Sequence, residues 1–147
     1  MIVTDADHIR EMIASGKAKP LPVQISRDFA KFLESCPLQL PLGASIDWSK
    51  IPAHSAIKWY EKSDQELVEW ARTLRLGRCS HVAMWYNLDE PCLLMGFAFG
   101  IANLDTLTWG APGPRYLFGV DIQEGNYRCE FHAFLEVTGG SLLHGVV

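Results

Sequence analysis

The sequence lacks a long apolar run and a secretory start. No stretch reaches the ~18 consecutive apolar residues that a membrane-spanning helix needs. Residues 1–5 carry neither the basic start nor the apolar run of a signal peptide. We therefore expect a soluble, cytoplasmic protein without a membrane contact. Its 147 residues fit a single globular domain (1–147) with a substantial hydrophobic core.

Lysine is absent after Lys62, and the charge of the chain is unevenly divided. Residues 1–78 hold eleven Lys/Arg and ten Asp/Glu, whereas residues 79–147 hold only Arg115 and Arg128 against seven acidic residues. Nucleic acid is bound by clustered Lys and Arg, so we expect no nucleic-acid partner for this half. An acidic surface instead attracts a basic protein by its long-range field, although excess carboxylates can also serve solubility alone.

The common cofactor and nucleophile motifs are missing. The sequence contains no GxxxxGK[ST] phosphate loop, no GxGxxG between a strand and a helix, and no GxSxG elbow. Its four cysteines form no CxxC pair, and without a secretory signal a disulfide framework is not expected. We predict no cofactor, and reduced cysteines in or near the core.

Histidine and carboxylate spacing does not indicate a metal or catalytic site. The five histidines share no i, i+4 or His-x-His spacing, and the nearest acidic companion of a histidine in a strand is Glu130 beside His132. Cys79 and His81 fall on one strand face, but their ~6.6 Å separation along a strand is too long for direct activation of the sulfur. Glu130 and Glu136, predicted on an outer face, lack the cleft that a carboxylate pair would need. We predict no metal site and no enzyme activity.

The helical part is predicted over residues 1–78. Thr4 or Asp5 can cap a first helix, residues 17–22 form a loop because two prolines interrupt them, and Ser26 starts a second helix. The clearest helix follows the capping box Ser63-Asp64-Gln65-Glu66, and we expect Gly77 to end it.

The sheet part is predicted over residues 79–147, where the apolar period changes from about 3.6 to 2. Strands are expected at 79–87, 92–102, 116–122, 127–137 and 141–147. Short loops between consecutive strands favour an antiparallel meander. The predicted fold class is therefore α+β, with N-terminal helices packed on one face of a C-terminal, mostly antiparallel sheet of about five strands.

The candidate partner contacts lie in the turns of the acidic part and before its Gly/Pro-rich loop at 110–114. A large aromatic side chain beside such a loop is typical of an interface anchor, although Trp109 could also cover one end of the sheet. The contacts that we predict are Asp89, Glu90, Asp105, Trp109 and Glu124.

A lone acidic α+β domain that is rich in aromatics and has no catalytic constellation resembles, in type, the bacterial immunity proteins that block toxic nuclease domains. The resemblance implies a non-catalytic protein that occludes a basic partner, its carboxylates taking the place of phosphates. The alternative is a small-molecule-binding or enzymatic domain with a pocket between the sheet and the Ser63 helix. Glycines at 96, 100 and 119 would make room there, and polar chemistry would come from Cys79, His81 and His132.

Overall fold

The computed structural model describes residues 6–38, 45–109, 115–137 and 142–147, which form an α+β fold. The helices in these residues are α1 (Asp7–Ala14), α2 (Val23–Glu34), α3 (Asp64–Arg72), α4 (Phe97–Ala102) and α5 (Leu104–Thr108). The strands are β1 (Ala18–Pro20), β2 (His54–Lys58), β3 (His81–Trp85), β4 (Leu93–Gly96), β5 (Arg115–Gln123), β6 (Asn126–Val137) and β7 (Leu142–Val146). Short 3₁₀ helices span Trp48–Lys50, Trp59–Glu61 and Arg75–Arg78.

The strands form one antiparallel sheet in the order β1-β4-β3-β5-β6-β7-β2. The antiparallel prediction is confirmed, but seven strands replace the expected five. The two additional strands come from the half that was predicted to be helical, and they form the two edges. β1 lies within the predicted loop and ends in Pro20, a residue that an edge strand tolerates because one side of its ladder is unpaired.

Helices cover both faces of the sheet, not one as predicted. On one face, α1, α3, α4 and α5 pack on a buried cluster that includes Val82, Leu117 and Leu135. On the other face, α2 and the turn at Trp48–Lys50 pack on a second cluster around Phe118. The central strands β3 and β5 are therefore buried on both sides, which leaves the loops and helix surfaces for binding.

The apolar run at 92–102 forms a short strand and a helix instead of one strand. β4 ends at Gly96, and α4 begins at Phe97. A Cβ atom at Gly100 would collide with the side chain of Val82, so this glycine lets α4 lie close against β3. Periodicity alone cannot separate a buried helix from a buried strand in such a run.

The Ser63 capping box is confirmed. The Ser63 hydroxyl accepts the Glu66 amide at 3.2 Å, and the Glu66 carboxylate accepts the Ser63 amide at 3.1 Å. The helix ends at Arg72, earlier than Gly77, which lies in the following 3₁₀ turn. A Cβ atom on Gly77 would come within 2.5 Å of the Arg72 carbonyl oxygen, so the chain needs glycine to fold back here.

Two predicted helix starts are displaced. α2 begins at Val23 and buries Ser26, whose hydroxyl donates to the Glu90 carbonyl instead of capping the helix. α1 begins at Asp7, after Ala6, and the proposed caps Thr4 and Asp5 lie outside the described residues, as does the loop at 110–114. None of the described helices is long and apolar enough to cross a membrane.

A register shift in β6 decides which of its side chains are buried. Phe118 pairs with Phe134, but the next residue, Gly119, pairs with Glu130. The intervening residues 131–133 are extra in β6, and such a bulge moves the later residues to the opposite face. Glu136, predicted on the outer face, is therefore buried and only 2% exposed.

Candidate functional site

Trp109, which directly follows α5, is the most exposed aromatic side chain among the described residues. Its indole is 73% exposed, and it contacts the His8 ring of α1 edge to face at 5.6 Å between centroids. His8, Asp105, Thr106 and Trp109 line a cleft of about 300 Å³. These four residues are named the Trp109 surface below. The alternative expectation, that Trp109 covers the end of the sheet, does not fit this exposure.

Buried leucines and one hydrogen bond hold the Trp109 surface in place. Leu104 and Leu107 of α5 are each 1% exposed and anchor that helix in the core. The Tyr86 hydroxyl, just after β3, donates to the Leu107 carbonyl at 2.8 Å. The surface therefore rests on a rigid base although Trp109 itself projects into solvent.

Asp89 and Glu90 lie in the β3–β4 turn, and only Asp89 is fully at the surface. The Asn87 side-chain oxygen accepts both of their backbone amides, at 2.8 and 3.0 Å. The Glu90 carboxylate accepts the Asn87 amide group and lies close enough to Arg115 for their charges to interact. Part of the Glu90 charge is thus compensated within the protein.

Glu124 lies at the opposite end of the sheet, in the β5–β6 hairpin. It and Gly125 have positive φ angles of 51° and 81°, the conformation of a two-residue hairpin turn. β5 runs for nine residues between the Trp85 end of the sheet and this turn, a length of roughly 27 Å at ~3.3 Å per residue. The five predicted contacts therefore do not form one continuous surface.

The remaining carboxylates of the acidic half have partners within the protein. Asp121 accepts the Ser80 amide at 2.9 Å, and Glu130 forms a 3.0 Å ion pair with Arg128. The acidic residues are consequently distributed over turns and edges, and they do not form one acidic surface.

Glu136 is the buried polar centre of the second core cluster. Its carboxylate accepts hydrogen bonds from the Ile46 amide at 2.8 Å, the Trp48 indole at 3.1 Å and the Tyr116 hydroxyl at 2.9 Å. Burial, then the neighbouring Glu136 charge, raises the pKa of Tyr116, which keeps its hydroxyl a donor. The Ile46 and Trp48 bonds tie the segment before β2 to the sheet, and the Tyr116 bond joins β5 to β6. Sequence reasoning missed this role because the bulge in β6 leaves no periodic signal.

The predicted alternative site does not form. Cys79 is buried over Gly119, and burial raises its thiol pKa to about 11. His81 Nδ1 lies 2.8 Å from the Ser80 hydroxyl, while His132 contacts Phe32 of α2, on the face of the sheet opposite to α3. Between α3 and the sheet, the expected pocket is filled by the buried side chains of Leu67, Ala71 and Leu74.

A second cleft lies at the carboxyl end of α2 and encloses about 350 Å³. Sequence reasoning missed it because its walls come from five separate segments. It is named the Arg75 cleft, and its principal lining residues are Phe32, Cys36, Arg75, His132, Phe134 and Val146.

Neither the family models, the curated proteins nor the solved structures contain a significant match to this chain. Among the described residues, the four cysteines are free thiols, and no group of three or more His, Cys, Asp or Glu side chains is arranged to hold a metal ion.

Proposed function

We propose that this chain is a non-catalytic protein that binds and neutralises a basic protein partner, in the manner of an immunity protein that blocks a bacterial toxin nuclease domain. The observation that carries the proposal is the 73% exposed Trp109 beside the Asp105 carboxylate. Monomeric proteins rarely leave a tryptophan so exposed, and tryptophan is among the residues that most often dominate binding energy at interfaces.

The Trp109 surface suits a lysine or arginine side chain of the partner. The face of an indole attracts a cation, and a carboxylate beside it completes the ion pair. Asp105 is exposed, and no basic side chain of the described residues pairs with it. Occlusion of a basic nuclease cleft would then need no chemistry from this chain, only contact area and charge.

Asp89 extends the proposed interface. It lies in the turn that follows Tyr86, and the Tyr86 hydroxyl is hydrogen-bonded to α5 at the same end of the sheet. Glu90 contributes less, since it already faces Arg115. Glu124 lies outside this interface, and we propose that it accelerates encounter through its field instead of forming a contact.

We expect a gene beside that of this chain to encode a basic toxin domain, and the test is a growth-rescue assay with that domain. Cells that express the toxin domain should grow when the chain is co-expressed, and Trp109→Ala and Asp105→Lys should abolish this rescue. The matched control is Tyr60→Ala, which removes another exposed aromatic ring, 62% exposed, next to α3. Full rescue by Trp109→Ala would refute the proposed interface.

A second candidate function is favoured by the Arg75 cleft, whose volume falls within the range of small-molecule sites. It corresponds to a ligand-binding or enzymatic domain, with the site at the end of α2 and not against α3.

A further inference from the structure

We propose that the Arg75 cleft binds a small aromatic monocarboxylate. This inference rests on the second candidate function and is independent of the Trp109 surface. The cleft combines the exposed guanidinium of Arg75 with a wall of aromatic and aliphatic side chains. The guanidinium would bind the carboxylate of the ligand, and the wall would bind its ring.

Arg75 is the anion-binding group of the cleft. It begins the 3₁₀ turn after α3 and is exposed, and among the described residues no carboxylate side chain lies within ion-pair distance of it. Its planar guanidinium can donate two parallel hydrogen bonds to a carboxylate. His132 adds a second polar group on the same lining.

The charged side chain of the cleft is basic although the protein is acidic. The chain has a net charge of −4, yet the residues that line this cleft include an arginine and a histidine and no acidic side chain. Burial raises the pKa of the Cys36 thiol, so this group remains neutral at physiological pH and does not oppose an anion. A carboxylate that enters therefore meets no acidic side chain on the lining, and Val147, the last residue of the sequence, is the one lining residue that carries a carboxylate of its own.

Aromatic rings form the apolar wall. Phe32 lies at the centre, with the His132 ring edge-on at 4.8 Å and the Phe134 ring at 5.8 Å, both between centroids. Val146 of β7 and Pro52 also line the cleft. A wall that contains aromatic rings favours an aromatic ligand over a flexible aliphatic one of the same volume, because rings pack on one another in offset stacks or edge to face.

The wall stands on the buried core, so the cleft is preformed. Phe134 is 3% exposed and packs on Trp48, with 5.7 Å between ring centroids. Trp48 in turn donates to Glu136. A ligand therefore binds without first ordering the wall, which lowers the entropic cost of binding.

The experiment titrates the ¹⁵N-labelled full chain with 3-phenylpropionate and follows amide chemical shifts. Two probes separate the contributions: 3-phenylpropionamide retains the ring without the charge, and acetate retains the charge without the ring. We expect saturable shifts at Cys36 and Val146 with 3-phenylpropionate, and binding at least about tenfold weaker for each control probe. Equal binding of the amide, or shifts confined to other residues, would overturn the proposal.

Variants test whether the ligand binds at Arg75. Arg75→Gln should weaken binding of 3-phenylpropionate at least about tenfold, whereas Arg78→Gln, an exposed arginine of the same turn outside the lining, should leave it unchanged. Trp109→Ala should also bind the probe normally. If Arg75→Gln binds as tightly as the parent chain, the assignment of Arg75 is wrong, whatever the outcome of the toxin assay.

Discussion

Tyr116 and Glu136 pair directly across β5 and β6, and the tyrosine hydroxyl donates a 2.9 Å hydrogen bond to the carboxylate. Both side chains are 2% exposed. A buried carboxylate is costly unless donors surround it, and here the Ile46 amide and the Trp48 indole supply the other two. Glu136 thus fastens the segment before β2 to the sheet through Ile46 and Trp48.

Replacement of Glu136 should destabilise the protein strongly. In Glu136→Gln the new NH₂ group is a donor that faces the donors of Ile46, Trp48 and Tyr116. We therefore expect the free energy of unfolding to fall by about 2–4 kcal/mol. Urea denaturation followed by tryptophan fluorescence measures it. Glu130→Gln, in the same strand but paired at the surface with Arg128, should cost less than about 1 kcal/mol. Equal stability of the two variants would contradict the role given to Glu136.

His144 should make stability depend on pH. It stacks on Trp48, and its buried Nδ1 has no hydrogen-bond partner among the described residues. Burial lowers the pKa of His144 against the opposing influence of Glu136, and His54 lowers it further. In the unfolded chain His144 has an ordinary histidine pKa of about 6.5. The unfolded chain therefore binds a proton at His144 more readily than the folded protein does. The stability that neutral His144 contributes is present above pH ~6.5 and is lost as the pH falls through its lower folded-state pKa.

The measurement is urea denaturation of the parent and His144→Phe between neutral and mildly acidic pH. The variant should lose less stability on acidification than the parent. A parent-like slope in His144→Phe would show that other groups cause it.

Three of the four thiols, two buried and one half-buried, should react slowly in the folded protein. Burial is the largest cause that raises the pKa of Cys79 and Cys129 to about 11 and of Cys92 to about 12. Since the thiolate is the reactive form, iodoacetamide near pH 8 should label Cys36 first and all four cysteines at equal rates only in urea. Peptide mass spectrometry gives the order. Rapid labelling of Cys79 in the folded chain would instead indicate an activated thiol and favour an enzyme.

Glu124 should be replaceable with a gain in stability. Its φ of 51° lies in the left-handed region, which asparagine tolerates better than glutamate. Glu124→Asn should therefore raise the free energy of unfolding by a few tenths to about 1 kcal/mol. Gln123→Asn, at the exposed end of β5, should bring no gain. A loss in Glu124→Asn would mean that the carboxylate stabilises the hairpin in some other way.

Local signals predicted the parts of the fold that local interactions determine. The capping box of Ser63 and Glu66 needs only neighbouring residues, and it was found at the predicted position. The sequence did not indicate that residues 97–102 form a helix, because apolar residues occur throughout this run and show no helical periodicity. β1 is three residues long and forms only because β4 supplies its partner.

The candidate sites show the same limit. The proximity of Trp109 to Gly/Pro-rich sequence suggested an exposed anchor, and the structure places this side chain in solvent. The burial of Glu136 depends on a bulge, and the Arg75 cleft depends on segments far apart in the chain. Neither feature is encoded in spacing, since both arise from the way the sheet is assembled.

The most direct test of the central claim is calorimetric titration of the chain with the purified basic toxin domain that we expect to be encoded beside its gene. We expect tight binding that weakens as salt rises, and a loss of about 30-fold in affinity, or about 2 kcal/mol, for Trp109→Ala. Tyr60→Ala should bind like the parent. No binding by the parent chain, or affinities of Trp109→Ala and the parent that agree, would contradict the proposal that the Trp109 surface recognises a basic partner.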